Sequence, residues 1–205
     1  MNNNHVMPGV AAIVLALLFP LYWLSVLVLG VADMDFADAL RNDMLTLSWM
    51  DALFLVIGLL EIYIYISLSN AFKERLHSNA ARILLYVIIG SVVIFHGFVL
   101  ADVYLAFNQE SMSGTTVDSV LSVSIYSSVA ALVVYTVAGI ALSIVLLMKS
   151  ELNAPLIKYF AVLLLIMCIL QATIIFALVN ILLFPVALII LALFFFKDPE
   201  MLEVV

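Results

Sequence analysis

The chain has 205 residues, 67% of them hydrophobic and only 10% charged, and a formal net charge of −7. A soluble domain carries about 25% charged residues, so this composition excludes a water-soluble fold and requires apolar surface facing lipid. The acidic balance, with no basic cluster to neutralise phosphates, excludes nucleic acid as a partner.

The expected architecture is an all-α, polytopic membrane bundle of six transmembrane helices with short loops, forming one domain over residues 1–205. A span needs about 20 mostly apolar residues. The first is expected near 9–30. Gly30-Val31-Ala32 loosely resembles a signal-peptidase site. No Lys or Arg precedes the apolar run, however, and the run has the length of a span, so it reads as a retained helix. In the following loop Phe36, Leu40 and Met44 recur every four residues among aspartates, which predicts a short amphipathic helix near 35–45 on the membrane surface.

The second span is expected near 47–68, the third near 82–106 and the fourth near 121–148. The stretch NQESMSGTTVD between the third and fourth is polar and predicts a mobile connection. From Tyr159 to Phe196 there is no charge. As one helix this run would measure about 57 Å, against a hydrocarbon core of about 30 Å. It must fold back, and Asn180 offers the only turn chemistry. That gives spans near 156–177 and 182–197, with a five-span arrangement ending in a re-entrant segment as the alternative.

Lys73, Arg75 and Arg82 lie between spans two and three, Lys149 and Lys158 between four and five, and Lys197 after six; the other loops hold only Arg41. The positive-inside tendency then puts both termini in the cytoplasm, in a cell inner (plasma) membrane. The two basic turns look alike, Phe72-Lys73-Glu74-Arg75-Leu76-His77-Ser78-Asn79-Ala80 and Met148-Lys149-Ser150-Glu151-Leu152-Asn153-Ala154. Asn79 and Asn153 suit helix N-caps, and the echo admits either a parallel hairpin repeat or two turns of the same chemistry.

Ionisable groups inside a span cost roughly 2.5–3.5 kcal/mol on insertion scales, so each is a functional candidate. Glu61 lies well inside the second span, and Tyr65 follows one turn later. His96 lies near the middle of the third, followed by Gly97, which would admit a close helix. These three form the expected ion or proton path; a hydrogen-bonded packing role is the plainer alternative for each. Rise per residue separates Glu61 from His96 by about 8 Å in depth, too far for a direct hydrogen bond. Asp51 and Asp102, at similar depths near the outer ends, suggest an acidic mouth or two interfacial carboxylates. In the fourth span Ser124, Ser128, Ala131, Tyr135, Ala138 and Gly139 form a helix-packing stripe whose hydroxyls can bond across. Gln171 and Asn180 read as bundle-packing amides. Pro20 and Pro185 invite kinks. Tyr22 and Trp23 sit too deep for a simple interface belt.

The single cysteine, Cys168, excludes an intrachain disulfide, and a lone intramembrane histidine offers no bis-His haem site. Walker, G-x-S-x-G, H-E-x-x-H and dinucleotide motifs are missing. The sequence therefore predicts no enzyme, no cofactor and no metal. Two functions fit: a small oligomeric channel or transporter for a cation or a proton-coupled solute, or an accessory subunit bound to another membrane protein. The expected partners are the lipid bilayer and either further copies of the chain or that second protein.

Overall fold

A computed structural model of the chain describes residues 3–30, 42, 44–75, 78–149, 155–173 and 175–197. Lipid offers backbone groups no hydrogen-bond partner, so an apolar chain closes its N–H and C=O groups on itself as helices. Among the described residues the principal α-helices are α1 (Asn3–Gly30), α2 (Trp49–Arg75), α3 (Asn79–Gly97), α4 (Val99–Asn108), α5 (Gly114–Met148), α6 (Pro155–Ala172) and α7 (Asn180–Phe196). With α3 and α4 following one another as a single span, six segments are long and apolar enough to cross a membrane. The chain is a multi-pass integral membrane protein. The five-span alternative is overturned, because the final apolar run divides into two helices.

The spans pack in a closed ring. Each touches its sequence neighbours, and α1 closes the circle by packing along α7. That closing contact runs along most of α7, from Phe184 to Phe196. Gly9 lies against the Phe196 ring near one end, where a Cβ would come within 2.6 Å of the ring. Near the other, Phe19 meets Phe184 edge-on at 4.6 Å. Lys73, Arg82, Lys149, Lys158 and Lys197 all fall at the Gly9–Phe196 end, here termed the basic end.

Local signals explain most boundaries, including several that differ from expectation. Ser78 caps α3 by accepting from the Ala81 N–H. Asn79, the expected cap, is instead the first helical residue, because serine one place earlier already has the extended backbone that a cap requires; Asn153 lies outside the described residues. At the start of α2, Ser48 Oγ accepts from the Met50 N–H at 3.1 Å, and Asp51 reaches back to the Ser48 N–H at 2.6 Å. This reciprocal pair is a capping box. Helix α2 runs on to Arg75, well past the expected end at residue 68, since nothing in Leu68–Lys73 breaks it.

The turn into the last span begins at Thr173 rather than at Asn180. A 3₁₀ segment, Ile175–Val179, intervenes, and Asn180 opens α7. The Asn180 amide donates to the Met167 carbonyl at 3.0 Å, tying α7 to the last turns of α6. The amide therefore clamps the turn instead of forming it. The stretch between α4 and α5 is bonded rather than loose. It holds a 3₁₀ turn, Gln109–Ser111, and Ser113 caps α5 through the Thr116 N–H. Gln109 also donates to the Leu45 carbonyl at 3.2 Å. The expected surface helix near 35–45 falls largely outside the described residues. Both α1 and α7 continue through Pro20 and Pro185 as single helices.

Candidate functional site

The ring encloses a half-open cavity of about 240 Å³, lined from every span. It extends from the α6–α7 turn to mid-bundle, so it occupies the half away from the basic end. Most of its wall is apolar. Glu61, Ser91, His96 and Tyr135 gather on the side where α2, α3 and α5 meet, and Gln171 and Asn180 stand at the α6–α7 side.

Helix periodicity puts Phe54, Gly58, Glu61 and Tyr65 on one face of α2. Gly58 is the opening in that face. A Cβ there would lie 2.4 Å from His96 Cγ, so only glycine lets the imidazole of α3 lie against the α2 backbone. In that position His96 Nδ1 meets the Phe54 carbonyl at 2.9 Å, and the Phe54 ring packs over the imidazole with centroids 4.1 Å apart. A carbonyl only accepts, so Nδ1 carries the hydrogen and donates. Nε2 is then left with either a lone pair or a second hydrogen, and it faces Glu61 Oε2 at 3.8 Å. Both residues are buried, His96 at 6% and Glu61 at 7% exposure.

Such a pair can hold one exchangeable proton, either on Glu61 as a carboxylic acid facing a neutral imidazole or on His96 as an imidazolium facing a carboxylate. At 3.8 Å the pair is beyond a direct hydrogen bond, and about 1 Å of approach would make one. Loss of the proton leaves a net negative charge. Below the pair, the Tyr65 and Tyr135 hydroxyls hydrogen-bond at 2.7 Å, with Glu61 beside Tyr65. A line of polar groups thus crosses from α3 through α2 to α5 in an otherwise apolar layer.

Glu61 and His96, expected about 8 Å apart in depth, bring their side chains to 3.8 Å, still short of a direct hydrogen bond. Extension of α2 to Arg75 places Glu61 at that helix's midpoint, α3 begins at Asn79 rather than residue 82, and the side chains span the remaining rise. Gly97, expected to admit a neighbouring helix, faces open space; Gly58 is the glycine that does so. Its signal was legible as a glycine one turn from a buried carboxyl on the same face. Asp51 and Asp102 do not line the cavity. Asp51 is occupied with the capping box. Asp102, half-buried, lies on α4 beyond the break at Phe98.

The α5 stripe packs inside the bundle. Ser124, Ala131, Ala138 and Gly139 are buried, Ser128 and Tyr135 half-buried. Gly139 receives Cys168 of α6, whose Sγ would lie 2.5 Å from an added Cβ. The expected cross-helix hydroxyl bond comes from Tyr135. The neighbouring Thr136 and Ser143 hydroxyls bond back to carbonyls of their own helix. Tyr22 stacks on Phe54 at 5.4 Å, and Trp23 lines the cavity, which accounts for their depth. Gln171 and Asn180, read as packing amides, also line it. Among the described residues no group of three or more His, Cys, Asp or Glu side chains is placed to hold a metal ion.

No protein-family model, no curated protein and no solved structure matches this chain.

Proposed function

We propose that this chain is a proton-coupled transporter of a small solute, with the Glu61–His96 pair as its proton site and the enclosed cavity as its solute site. The observation that carries this reading is the 3.8 Å approach of His96 Nε2 to Glu61 Oε2, with Nδ1 anchored on the Phe54 carbonyl. A packing histidine needs only one satisfied nitrogen. Here the second nitrogen is aimed at an intramembrane carboxyl bordering an enclosed space, an arrangement suited to gaining and losing a proton.

The geometry favours a carrier over a channel. A hydrated ion needs a continuous polar lining, and apolar constrictions stop conduction by dewetting. The walls here are largely apolar, and the few polar groups are separated by aromatic and aliphatic side chains. All six spans of the one chain contribute to the cavity wall. With the basic end cytoplasmic, by the positive-inside tendency, the cavity lies in the half facing away from the cytoplasm. The proton and solute would then be exchanged between that side and the cytoplasm through the Tyr65–Tyr135 layer.

The test is proton movement in proteoliposomes loaded with a pH-sensitive dye, under an imposed pH gradient, challenged with a panel of small organic cations, neutral solutes and zwitterions. The expected result is solute-dependent proton movement in the native chain and none in Glu61→Gln, with both proteins equally folded. Proton movement that is the same in Glu61→Gln as in the native chain refutes the assignment.

A further inference from the structure

We infer that the cavity takes a small organic cation with an apolar body, bound in exchange for the proton of the Glu61–His96 pair. This deepens the transport reading and rests on it for the direction of exchange. Three features of the lining carry it.

The first is charge. Among the described residues, Glu61 is the only carboxylate lining the cavity, the His96 imidazole stands beside it, and no Lys or Arg reaches it. An anion would meet a carboxylate and find no cation other than a protonated His96. Once the pair has lost its proton, the cavity carries one uncompensated negative charge in an apolar setting. Such a charge demands a counter-charge.

The second is the wall. Phe19, Trp23, Phe54, Phe95 and Phe184 line the same space as Glu61. Aromatic rings attract organic cations, and quaternary ammonium groups are recognised by aromatic cages. A bare metal ion is excluded by the same wall. Hard cations take six or more oxygen ligands, and the described residues supply no cluster of that kind. A sugar-like solute would bury hydroxyls against rings with too few partners.

The third is size. A volume of about 240 Å³ exceeds the roughly 150 Å³ of an apolar cavity that binds benzene. That admits a single ring or a short alkyl group on an ammonium.

The exchange balances. The singly protonated, neutral pair plus a monovalent cation gives a carboxylate–cation pair and one released proton, with no change in net charge at the site. Proton and cation compete for Glu61, so binding strengthens as pH rises. Over the range in which the pair titrates, affinity should change by about tenfold per pH unit.

The probe is phenyltrimethylammonium, with tert-butylbenzene as its uncharged isostere and benzenesulfonate as an anion of similar size. Binding to the full chain in nanodiscs is followed by ligand-observed NMR with empty nanodiscs subtracted, and proton release by a pH dye in weak buffer. The expected result is binding of the cation alone, with one proton released per cation and the stated pH slope. Glu61→Gln should lose the proton release and weaken binding roughly thirtyfold or more. The isostere comparison and the pH slope use the native chain, so a folding defect in the variant leaves the test intact. Equal binding of the uncharged isostere, binding of the anion, or cation binding without proton release overturns the inference. If the cation binds and releases a proton but vesicles show no solute-dependent proton movement, the transport reading fails and the site assignment stands. If Glu61-dependent proton movement follows another solute class and the cation does not bind, the site assignment fails alone.

Discussion

Replacing Gly58 with alanine adds one methyl group to α2 at the point where His96 lies on it. The new Cβ would fall 2.4 Å from Cγ, 2.7 Å from Cβ and 2.8 Å from Cδ2 of the imidazole. Non-bonded carbons rest about 3.5–4.0 Å apart, so the ring must retreat by more than about 1 Å. A 2.9 Å bond to the Phe54 carbonyl does not survive that movement. Overpacking costs about 1–3 kcal/mol, and stranding the buried ring donor adds about 1–3 kcal/mol. Alanine's better helix propensity offsets about 0.8–1 kcal/mol. The net expectation is a loss of about 1–5 kcal/mol, with the proton pair pulled apart. The assay is unfolding in mixed micelles of the native chain, Gly58→Ala, His96→Ala and the double variant. Removing the imidazole makes room for the methyl, so the double variant should be no less stable than His96→Ala alone, giving a coupling of more than about 1 kcal/mol. Gly97→Ala, where an added Cβ meets nothing within 4 Å, is the control and should be close to neutral. Additive effects of Gly58→Ala and His96→Ala would show that the imidazole does not lie over Gly58.

Tyr65→Phe leaves the Tyr135 hydroxyl without its 2.7 Å partner and should cost about 1–3 kcal/mol, while the double change to Phe at both positions should cost less than the two single changes together. Thermal unfolding of the three variants checks this. Gly139→Ala should destabilise by about 1–3 kcal/mol through its clash with the Cys168 thiol, and Cys168→Ala in the same chain should restore most of the loss. Asn180→Ala should loosen the α6–α7 turn, seen as faster amide exchange in Thr173–Ile181 with little change in α2. Asp51→Asn should lower stability by no more than about 2 kcal/mol as a weakened capping box; if it also abolishes solute-dependent proton movement, Asp51 has a part in the path after all.

Fold class was legible in this sequence because lipid leaves so few solutions: length, charge spacing and the parity of the basic loops favour six spans, with only the last apolar run open to a five-span alternative. The ends of α1 at Gly30 and α5 at Met148 fall where expected, whereas the ends of α2 and α6 do not. Helix α2 continues past residue 68 because polar residues near a span's end do not break a helix, and composition alone cannot place its last turn. The serine caps of α2 and α3 stand in the sequence as Ser48-Trp49-Met50-Asp51 and Ser78-Asn79, but an aspartate reads equally as an interfacial charge and an asparagine equally as a cap. The polar cluster was half legible. Glu61, His96 and Tyr65 stand out as ionisable or hydroxyl groups in apolar runs. That Phe54 contributes a carbonyl, Gly58 an absence of side chain and Tyr135 the partner of Tyr65 follows from rotation about the helix axes and tilt between helices, which a single sequence does not encode in a form that can be read residue by residue.

Because each span packs on its sequence neighbours, most of the bundle can assemble in the order in which it is synthesised. The α1–α7 seam is the exception, since it joins the first span to the last. Until that seam closes, the side of α2 bearing Glu61 has no complete shelter, and a carboxyl that ends up buried confronts hydrocarbon or whatever water follows it into the bilayer. The unfinished chain therefore presents an unsheltered polar group that the finished one hides, a distinguishing mark by which membrane quality control can tell incomplete copies from complete ones. Loosening Gly9 against Phe196 would lengthen the time spent in that state, lowering cellular abundance even where the assembled protein works normally.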